Sequence, residues 1–170
     1  KTNNASSLSY NSITDAHATL AHADNRATIQ TKNLVINNAV DLATASTIDG
    51  YNGNNTLTFN QVTDTYSNLN NTASNRAGTD HVNIKGKVVI VDQAVGINNA
   101  ETLEAIVTLN NGNAIQGASF TYNTIEDTAD RLTQSDTAAG QAAAITNKTV
   151  TISGNTSLSD LDTIRTRATN

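Results

Sequence analysis

Apolar and polar positions follow a period of two in some stretches of this chain and a period near 3.6 in the stretches that come next. Three segments begin with alternating side chains that predict one face of a strand: Leu8 and Tyr10, Leu57 and Phe59, Phe120 and Tyr122. Side chains suited to burial then recur at i, i+4 and i+7, the spacing of one helix stripe: Ile13, His17 and Leu20; Val62, Tyr66 and Leu69; Ile125, Ala129 and Leu132. The pattern therefore predicts three strands that each lead into a helix.

A second strand and helix are predicted further along each third of the chain. Short β-branched runs precede stretches with apolar residues at i and i+3: Ala45 and Ile48, Leu103 and Ile106, Leu161 and Ile164. In all, we predict six parallel strands, each followed by a short helix, at residues 8–11, 34–36, 57–59, 88–91, 120–122 and 149–152. Strands that alternate with helices are typical of α/β folds, in which crossovers are right-handed by default.

The three stretches that open with a strand also resemble one another in their residues. They read LSYNSITDAHATL (8–20), LTFNQVTDTYSNL (57–69) and FTYNTIEDTADRL (120–132), which divides the chain into repeats at 1–56, 57–119 and 120–170. The extra length of the middle repeat falls around Asn111 and Gly112, a pair that signals a turn. Likeness between units is not required by a closed, doubly wound domain, so we expect an open right-handed solenoid with one parallel sheet.

Composition limits the kinds of protein that this chain can be. Its 170 residues include no Cys, Met, Pro or Trp, and aromatic residues make up 4%, so the core must consist of Ile, Leu, Val and Ala. Disulfides and thiol chemistry are thereby excluded. The surface is rich in neutral polar residues, with 25 Asn and 27 Thr, and the net charge is −5. Ten scattered Lys and Arg argue against binding to nucleic acid, and no apolar run is long enough to span a membrane.

Three aspartates recur at the same place in the repeats: Asp15, Asp64 and Asp127. An aspartate in the first turn of a helix accepts hydrogen bonds from free backbone N–H groups and faces the positive end of the helix dipole. We predict that each one caps the short helix that follows it. The alternative is that they bind calcium, although the ligand-dense loops of calcium-binding motifs are missing.

Three asparagines recur just after the aromatic residue: Asn11, Asn60 and Asn123. We expect their amides to form a hydrogen-bonded ladder rather than to bind a ligand. The histidines His17, His22 and His81 could suggest a metal site, but a spacing of five residues turns the first two apart on a helix. His17 instead takes the stripe position held by Tyr66 and Ala129, and neither a metal nor another cofactor is predicted.

The recurring block resembles the SDTAANL-type repeats of long bacterial secreted and cell-surface proteins, which are common in cyanobacteria and proteobacteria. VTDTYSNL (62–69) and IEDTADRL (125–132) carry the resemblance, whereas ITDAHATL (13–20) has Ala16 where Thr65 and Thr128 stand. The resemblance implies an extracellular repeat region of an adhesin, surface-layer or matrix protein, and it implies no activity.

We therefore expect an extracellular, non-enzymatic structural protein that extends, tiles or polymerises at a bacterial cell surface. The alternative is an adhesin or carbohydrate-binding module that uses the face rich in Asn and Thr to recognise a surface polysaccharide. The final helix stops where a fourth aromatic strand is due, so the expected partners are adjoining repeats of the same chain or further copies stacked head to tail.

Overall fold

The structure is a computed structural model, and it describes residues 9–53, 55–70, 84–134 and 145–169. The strands are β1 Ser12–Asp15, β2 Asn33–Ile36, β3 Leu57–Phe59, β4 Gln61–Asp64, β5 Val88–Val91, β6 Leu109–Asn110, β7 Asn113–Ala114, β8 Ser119–Tyr122, β9 Thr124–Thr128 and β10 Thr149–Ser153. The helices are α1 His17–Leu20, α2 Arg26–Ile29, α3 Leu42–Asn52, α4 Tyr66–Leu69, α5 Ile97–Thr108, α6 Ala129–Thr133 and α7 Leu158–Thr169. A short 3₁₀ turn, Ala23–Asn25, precedes α2.

The strands of the described residues form four small separate sheets. Two sheets have three parallel strands each, in the orders β1-β2-β3 and β4-β5-β8. A third consists of the parallel pair β9 and β10, and a fourth of the antiparallel pair β6 and β7. The described residues thus form a mixed α/β fold, and they show neither a solenoid nor a repeat architecture. The predicted open right-handed solenoid with one parallel sheet is wrong.

The sheets stay small because two extended segments bend in the middle. In the segment from Leu57 to Asp64, β3 pairs with β2, whereas β4 pairs with β5 after a bend at Asn60. In the segment from Ser119 to Thr128, β8 and β9 are separated in the same way at Asn123. Each bend moves the chain from one sheet to the next, so no sheet extends through the whole described part of the chain.

Five of the six predicted strands are confirmed in position, although β3 and β8 are followed by a further strand and not directly by the predicted short helix. The observed β3 and β5 have the predicted bounds, and the predicted strands at 34–36, 120–122 and 149–152 lie within β2, β8 and β10. The sixth prediction, 8–11, is wrong for residues 9–11 because the strand begins at Ser12, and Leu8 lies outside the described residues. The corresponding β3 and β8 each pair with a preceding strand, and the described residues before Ser12 include no such strand.

The predicted helix stripes that begin at Ile13, Val62 and Ile125 are wrong in their first position. These three residues lie on strands β1, β4 and β9. The helices that follow, α1, α4 and α6, begin four residues later and are single turns of four or five residues. Their last apolar residues, Leu20, Leu69 and Leu132, are buried as predicted.

The longer helices α3, α5 and α7 were predicted from the i, i+3 pairs and are confirmed. Helix α3 begins after Asp41, whose Oδ1 accepts a hydrogen bond from the Thr44 N–H at 2.8 Å. Burial alone would raise the pKa of Asp41, but the hydrogen bonds from the backbone and hydroxyl of Thr44 and from its own backbone, together with nearby His17, lower the pKa overall. Helix α7 has Ser157 as its cap, which accepts from the Asp160 N–H at 3.1 Å.

A single cluster of buried aliphatic residues joins the sheets to the helices. Most members are Ile, Leu, Val or Ala, with Phe59 and Tyr122 as the buried aromatic residues. This confirms the aliphatic core predicted from composition. The predicted turn at Asn111 and Gly112 is also confirmed, since both have positive φ, 49° and 80°, between β6 and β7.

Candidate functional site

Three turns, each just before a strand, place a lysine against the recurring aromatic residue. The residue before the lysine has a positive φ in every turn: Thr31 (68°), Gly86 (76°) and Asn147 (58°). The lysine ammonium then lies over an aromatic ring, with distances to the ring centroid of 4.8 Å for Lys32 on Tyr10, 4.2 Å for Lys87 on Phe59 and 4.8 Å for Lys148 on Tyr122. Such contacts are cation–π interactions. The recurrence of the aromatic residues was visible in the sequence, whereas their contacts with the lysines were not.

The left-handed turns give a prediction about stability. Thr31 is β-branched and strained at positive φ, so Thr31→Gly should raise the free energy of unfolding by about 0.5–1 kcal/mol. Gly86→Ala, at the equivalent place, should lower it by about 1–2 kcal/mol, because alanine would be strained at this φ. Urea unfolding of both variants checks the pair, and a change of the same sign in both would contradict the explanation.

Burial shifts the pKa of two residues in these contacts. Burial lowers the pKa of Lys87, since a half-buried ammonium loses hydration. Burial, together with the negative charges of Glu104 and Glu101, raises the pKa of Tyr122 to about 12. Both shifts follow from packing against the core.

The shifted pKa of Tyr122 predicts a loss of stability at alkaline pH. The stabilisation from a raised pKa is fully present below the unfolded value of 10.0 and is lost as pH rises through about 12. Wild-type protein should therefore lose more stability than Tyr122→Phe between about pH 9 and about pH 11.5. Urea unfolding at both pH values measures the difference. Equal losses in the two proteins would refute the assignment to Tyr122.

Asp64 holds together two helices and the end of a strand. Its Oδ2 accepts a hydrogen bond from the Leu42 N–H, the first of α3, at 3.0 Å. Its Oδ1 accepts from the Thr65 N–H at 2.8 Å and from the Asn68 amide at 2.7 Å. The side chain is buried, and all three donors come from within the chain. The carboxylate therefore caps the helix that precedes it by more than twenty residues and not the helix that follows.

Asp127 makes the same two backbone contacts as Asp64, whereas Asp15, among the described residues, makes only the contact with the N–H of the next residue. Asp127 Oδ2 accepts from the Ile97 N–H, the first of α5, at 3.0 Å, and Oδ1 accepts from the Thr128 N–H at 2.9 Å. Asp15 Oδ1 accepts from the Ala16 N–H at 2.7 Å. Within the described ranges, no donor reaches Asp15 Oδ2. The recurring carboxylate is thus a link between elements distant in sequence, which the predicted local cap did not anticipate.

The short helices are capped by the residue after each aspartate. Thr65 accepts from the Asn68 N–H at 3.3 Å, and Thr128 accepts from the Arg131 N–H at 3.4 Å. Ala16 holds the same place before α1 and has no side-chain oxygen to offer. The position where ITDAHATL departs from the other blocks is therefore the position of a lost cap.

This difference predicts opposite effects of two substitutions. Ala16→Thr should raise the free energy of unfolding by about 0.5–1 kcal/mol, and Thr65→Ala should lower it by a similar amount, about 0.5–1 kcal/mol. Thermal unfolding of both variants beside Ala16→Ser, which also supplies a hydroxyl, provides the check. The cap assignment fails if Ala16→Ser and Ala16→Thr are both without effect.

The predicted asparagine ladder is wrong. The side chains of Asn11, Asn60 and Asn123 are exposed, and within the described part of the chain none of their amides bonds another of the three. It is their backbone carbonyls that make the same hydrogen bond in each repeat of the sequence. The carbonyls of Asn11, Asn60 and Asn123 accept from the N–H groups of Asn33, Val88 and Thr149, respectively, at 3.0, 2.8 and 2.9 Å. The bonds to Asn60 and Asn123 lie at the bends that separate β3 from β4 and β8 from β9.

The two histidines that the structure describes, His17 and His22, lie at the starts of two different elements. His17 begins α1, at the position that Tyr66 and Ala129 hold in α4 and α6, as predicted, and its ring lies 3.0 Å from the Asn38 amide. His22 precedes the 3₁₀ turn, and His81 lies outside the described residues. Over the described ranges, no group of three His, Cys, Asp or Glu side chains is placed to hold a metal ion.

One face of α7 is apolar and exposed. Leu158 is 86% exposed and Leu161 is 45% exposed, and with Ser159, Asp162 and Arg165 they line a shallow groove of about 650 Å³. The equivalent first residues of the other two long helices are buried, with Leu42 at 6% and Ile97 at 2%. We call Leu158, Leu161 and the backbone of Thr156 the α7 face.

Comparisons with protein-family models, curated proteins and solved structures found no match. Fold and site together define the class of the molecule as a mixed α/β protein with small parallel sheets, in which recurring aspartates link distant elements. None of the helices in the described residues is both long and apolar enough to cross a membrane.

Proposed function

We propose that this chain is a non-enzymatic, extracellular structural protein that extends, tiles or polymerises at a bacterial cell surface as part of a surface layer, filament or matrix. The observation that carries the proposal is the exposure of Leu158 and Leu161 on the α7 face. Contiguous apolar side chains on a protein surface mark sites of association.

The use of the recurring residues supports a structural role. The carboxylates of Asp64 and Asp127 are occupied by backbone N–H donors, and the recurring asparagines contribute backbone carbonyls to strand pairing. The lysines stack on aromatic rings of the same chain. The residues that recur in the sequence thus make contacts within the chain and stabilise its fold. A neutral polar surface without cysteine, and the resemblance to SDTAANL-type repeats, agree with an extracellular setting.

The proposal is tested by locating the protein and by measuring its assembly. An antibody against the chain should label intact cells of the organism that encodes it as strongly as it labels lysed cells. The purified protein should scatter more light per molecule as its concentration rises, and electron microscopy should show sheets or filaments. Labelling only after lysis, or uniform single particles at every concentration, would refute the proposal.

A further inference from the structure

One kind of junction occurs twice in the described part of the chain, and the two occurrences agree in three contacts. The residue two positions before α3 pairs with β4: the Val40 N–H donates to the Gln61 carbonyl at 3.2 Å, and the Thr63 N–H donates to the Val40 carbonyl at 3.1 Å. The second junction places Val95 before α5 against β9, with the corresponding bonds at 3.2 Å to the Thr124 carbonyl and 3.1 Å from the Glu126 N–H.

The other two contacts follow directly after this bridge. The carboxylate of the aspartate near the end of the strand accepts a hydrogen bond from the first N–H of the helix. Asp64 accepts from Leu42 in one junction and Asp127 accepts from Ile97 in the other, both at 3.0 Å. The apolar side chains at the junction, which are Val62 and Leu42 in one case and Ile125 and Ile97 in the other, are buried. A bridge, a carboxylate cap and buried apolar side chains together define the junction.

The α7 face presents the helix half of a third such junction. Thr156 precedes Leu158 by two residues, as Val40 precedes Leu42 and Val95 precedes Ile97. Throughout the described ranges, no acceptor pairs with the N–H of Thr156 and no donor pairs with its carbonyl, and the Leu158 side chain is exposed. The helix half therefore lacks its strand.

Strand β1 presents the strand half. Its register against β2 pairs Ile13 with Leu34, as Val62 pairs with Val89 and Ile125 with Val150. Its other edge has no described strand beside it, and that edge carries the Ser12 carbonyl and the Thr14 N–H, the equivalents of the bridging groups in β4. Asp15 Oδ2, which has no donor among the described residues, corresponds to the oxygen with which Asp64 caps α3. We call Ser12–Asp15 the β1 edge.

We infer that the β1 edge of one copy of this chain binds the α7 face of a second copy. In this contact the Thr156 N–H donates to the Ser12 carbonyl, the Thr14 N–H donates to the Thr156 carbonyl, and Asp15 Oδ2 accepts from the Leu158 N–H of the other copy. Leu158 and Ile13 become buried together. The two surfaces differ and lie on each copy once, so the contact is heterologous and adds copies without closing. The inference rests on the proposed function and names the partner and the surfaces by which it assembles.

Disulfide trapping tests the contact, and the absence of native cysteine makes the result unambiguous. Facing residues on neighbouring strands lie about 4.8 Å apart, within reach of a disulfide. Ile13→Cys in one chain and Thr156→Cys in another are mixed and oxidised. The control mixture replaces Ile13→Cys with Thr47→Cys, an exposed threonine on α3. The test pair should form the mixed dimer about tenfold faster or more, since binding raises the effective concentration of the two thiols.

A second substitution shows that the trapped dimer depends on the α7 face. Adding Leu158→Lys to the Thr156→Cys chain should remove the rate advantage, whereas adding Leu109→Lys, at an exposed leucine elsewhere, should not. Circular dichroism establishes that every variant is folded. Equal trapping of the test and control pairs overturns the inference, as does an advantage that survives Leu158→Lys.

The trapping result is separable from the result for the proposed function. Assemblies on the cell surface without selective trapping would refute these two surfaces and leave the structural role intact. Selective trapping of a protein that antibodies find only inside cells would support the contact and refute the proposed location.

Discussion

Asp64→Ala is expected to lower the free energy of unfolding by about 2–4 kcal/mol, the largest loss among the three recurring aspartates. Asp64 is 5% exposed, and its carboxylate accepts three hydrogen bonds, from Leu42, Thr65 and Asn68. Its removal leaves the Leu42 N–H of α3, the Thr65 N–H and the Asn68 amide without this partner, and it leaves a gap where a strand, a long helix and a short helix meet. Buried donors without partners account for most of the cost.

The other two aspartates provide a graded comparison. Asp127 accepts two hydrogen bonds and is half-buried, so Asp127→Ala should cost about 1–2 kcal/mol. Asp15 accepts one, so Asp15→Ala should cost less than about 1 kcal/mol. Urea unfolding of the three variants measures the order. Equal losses at all three positions would contradict the conclusion that Asp64 and Asp127 link elements that are distant in the sequence.

The same experiment distinguishes the calcium alternative. Repeating it with added calcium and with a chelator should leave the order and the sizes of the losses unchanged, because N–H donors already occupy the oxygens of Asp64. If the chelator alone unfolds the wild-type protein, the aspartates bind a metal and the capping explanation fails.

Replacing Leu158 and Leu161 together with lysine is expected to abolish assembly while leaving the fold intact. Both leucines are exposed in the single chain, so their loss should change the free energy of unfolding by less than about 0.5 kcal/mol. Two positive charges on the α7 face would have to be buried without partners in any contact that covers it, at a cost of several kcal/mol.

Sedimentation velocity over a range of concentrations, with electron microscopy of the concentrated samples, compares the double variant with wild type. The matched control is Leu109→Lys, which changes a leucine that is 40% exposed outside the α7 face. The control should assemble like wild type. A double variant that assembles as well as wild type would place the contact on another surface.

Much of the local structure could be predicted from the sequence. The β-branched run at 88–91 and the alternating run at 57–59 are strands with the predicted bounds, and the Asn111-Gly112 pair is a tight turn. Each of these features depends on neighbours close in the chain. The three long helices were predicted for the same reason, because their apolar spacing is a local property.

Some predictions were wrong because the same spacing of apolar residues is compatible with both a helix and a strand. Ile13 and His17 are four residues apart, and four positions return a side chain to the same face of a helix and also of a strand. The sequence therefore could not reveal that the first residue lies on β1 and the second on α1. The same ambiguity hid β4 and β9, which follow the bends at Asn60 and Asn123. These bends divide the predicted continuous sheet.

The recurrence of Asp64 and Asp127 was visible in the sequence, and their partners were not. Sequence alone determined the α/β composition, the aliphatic core and the places where the chain repeats its own residues. Only the tertiary structure decided that each carboxylate reaches the first N–H of a helix 22 or 30 residues earlier. A backbone N–H carries no residue-specific signal, so any helix start satisfies an aspartate equally well until the packing of strands brings one particular start within 3.0 Å.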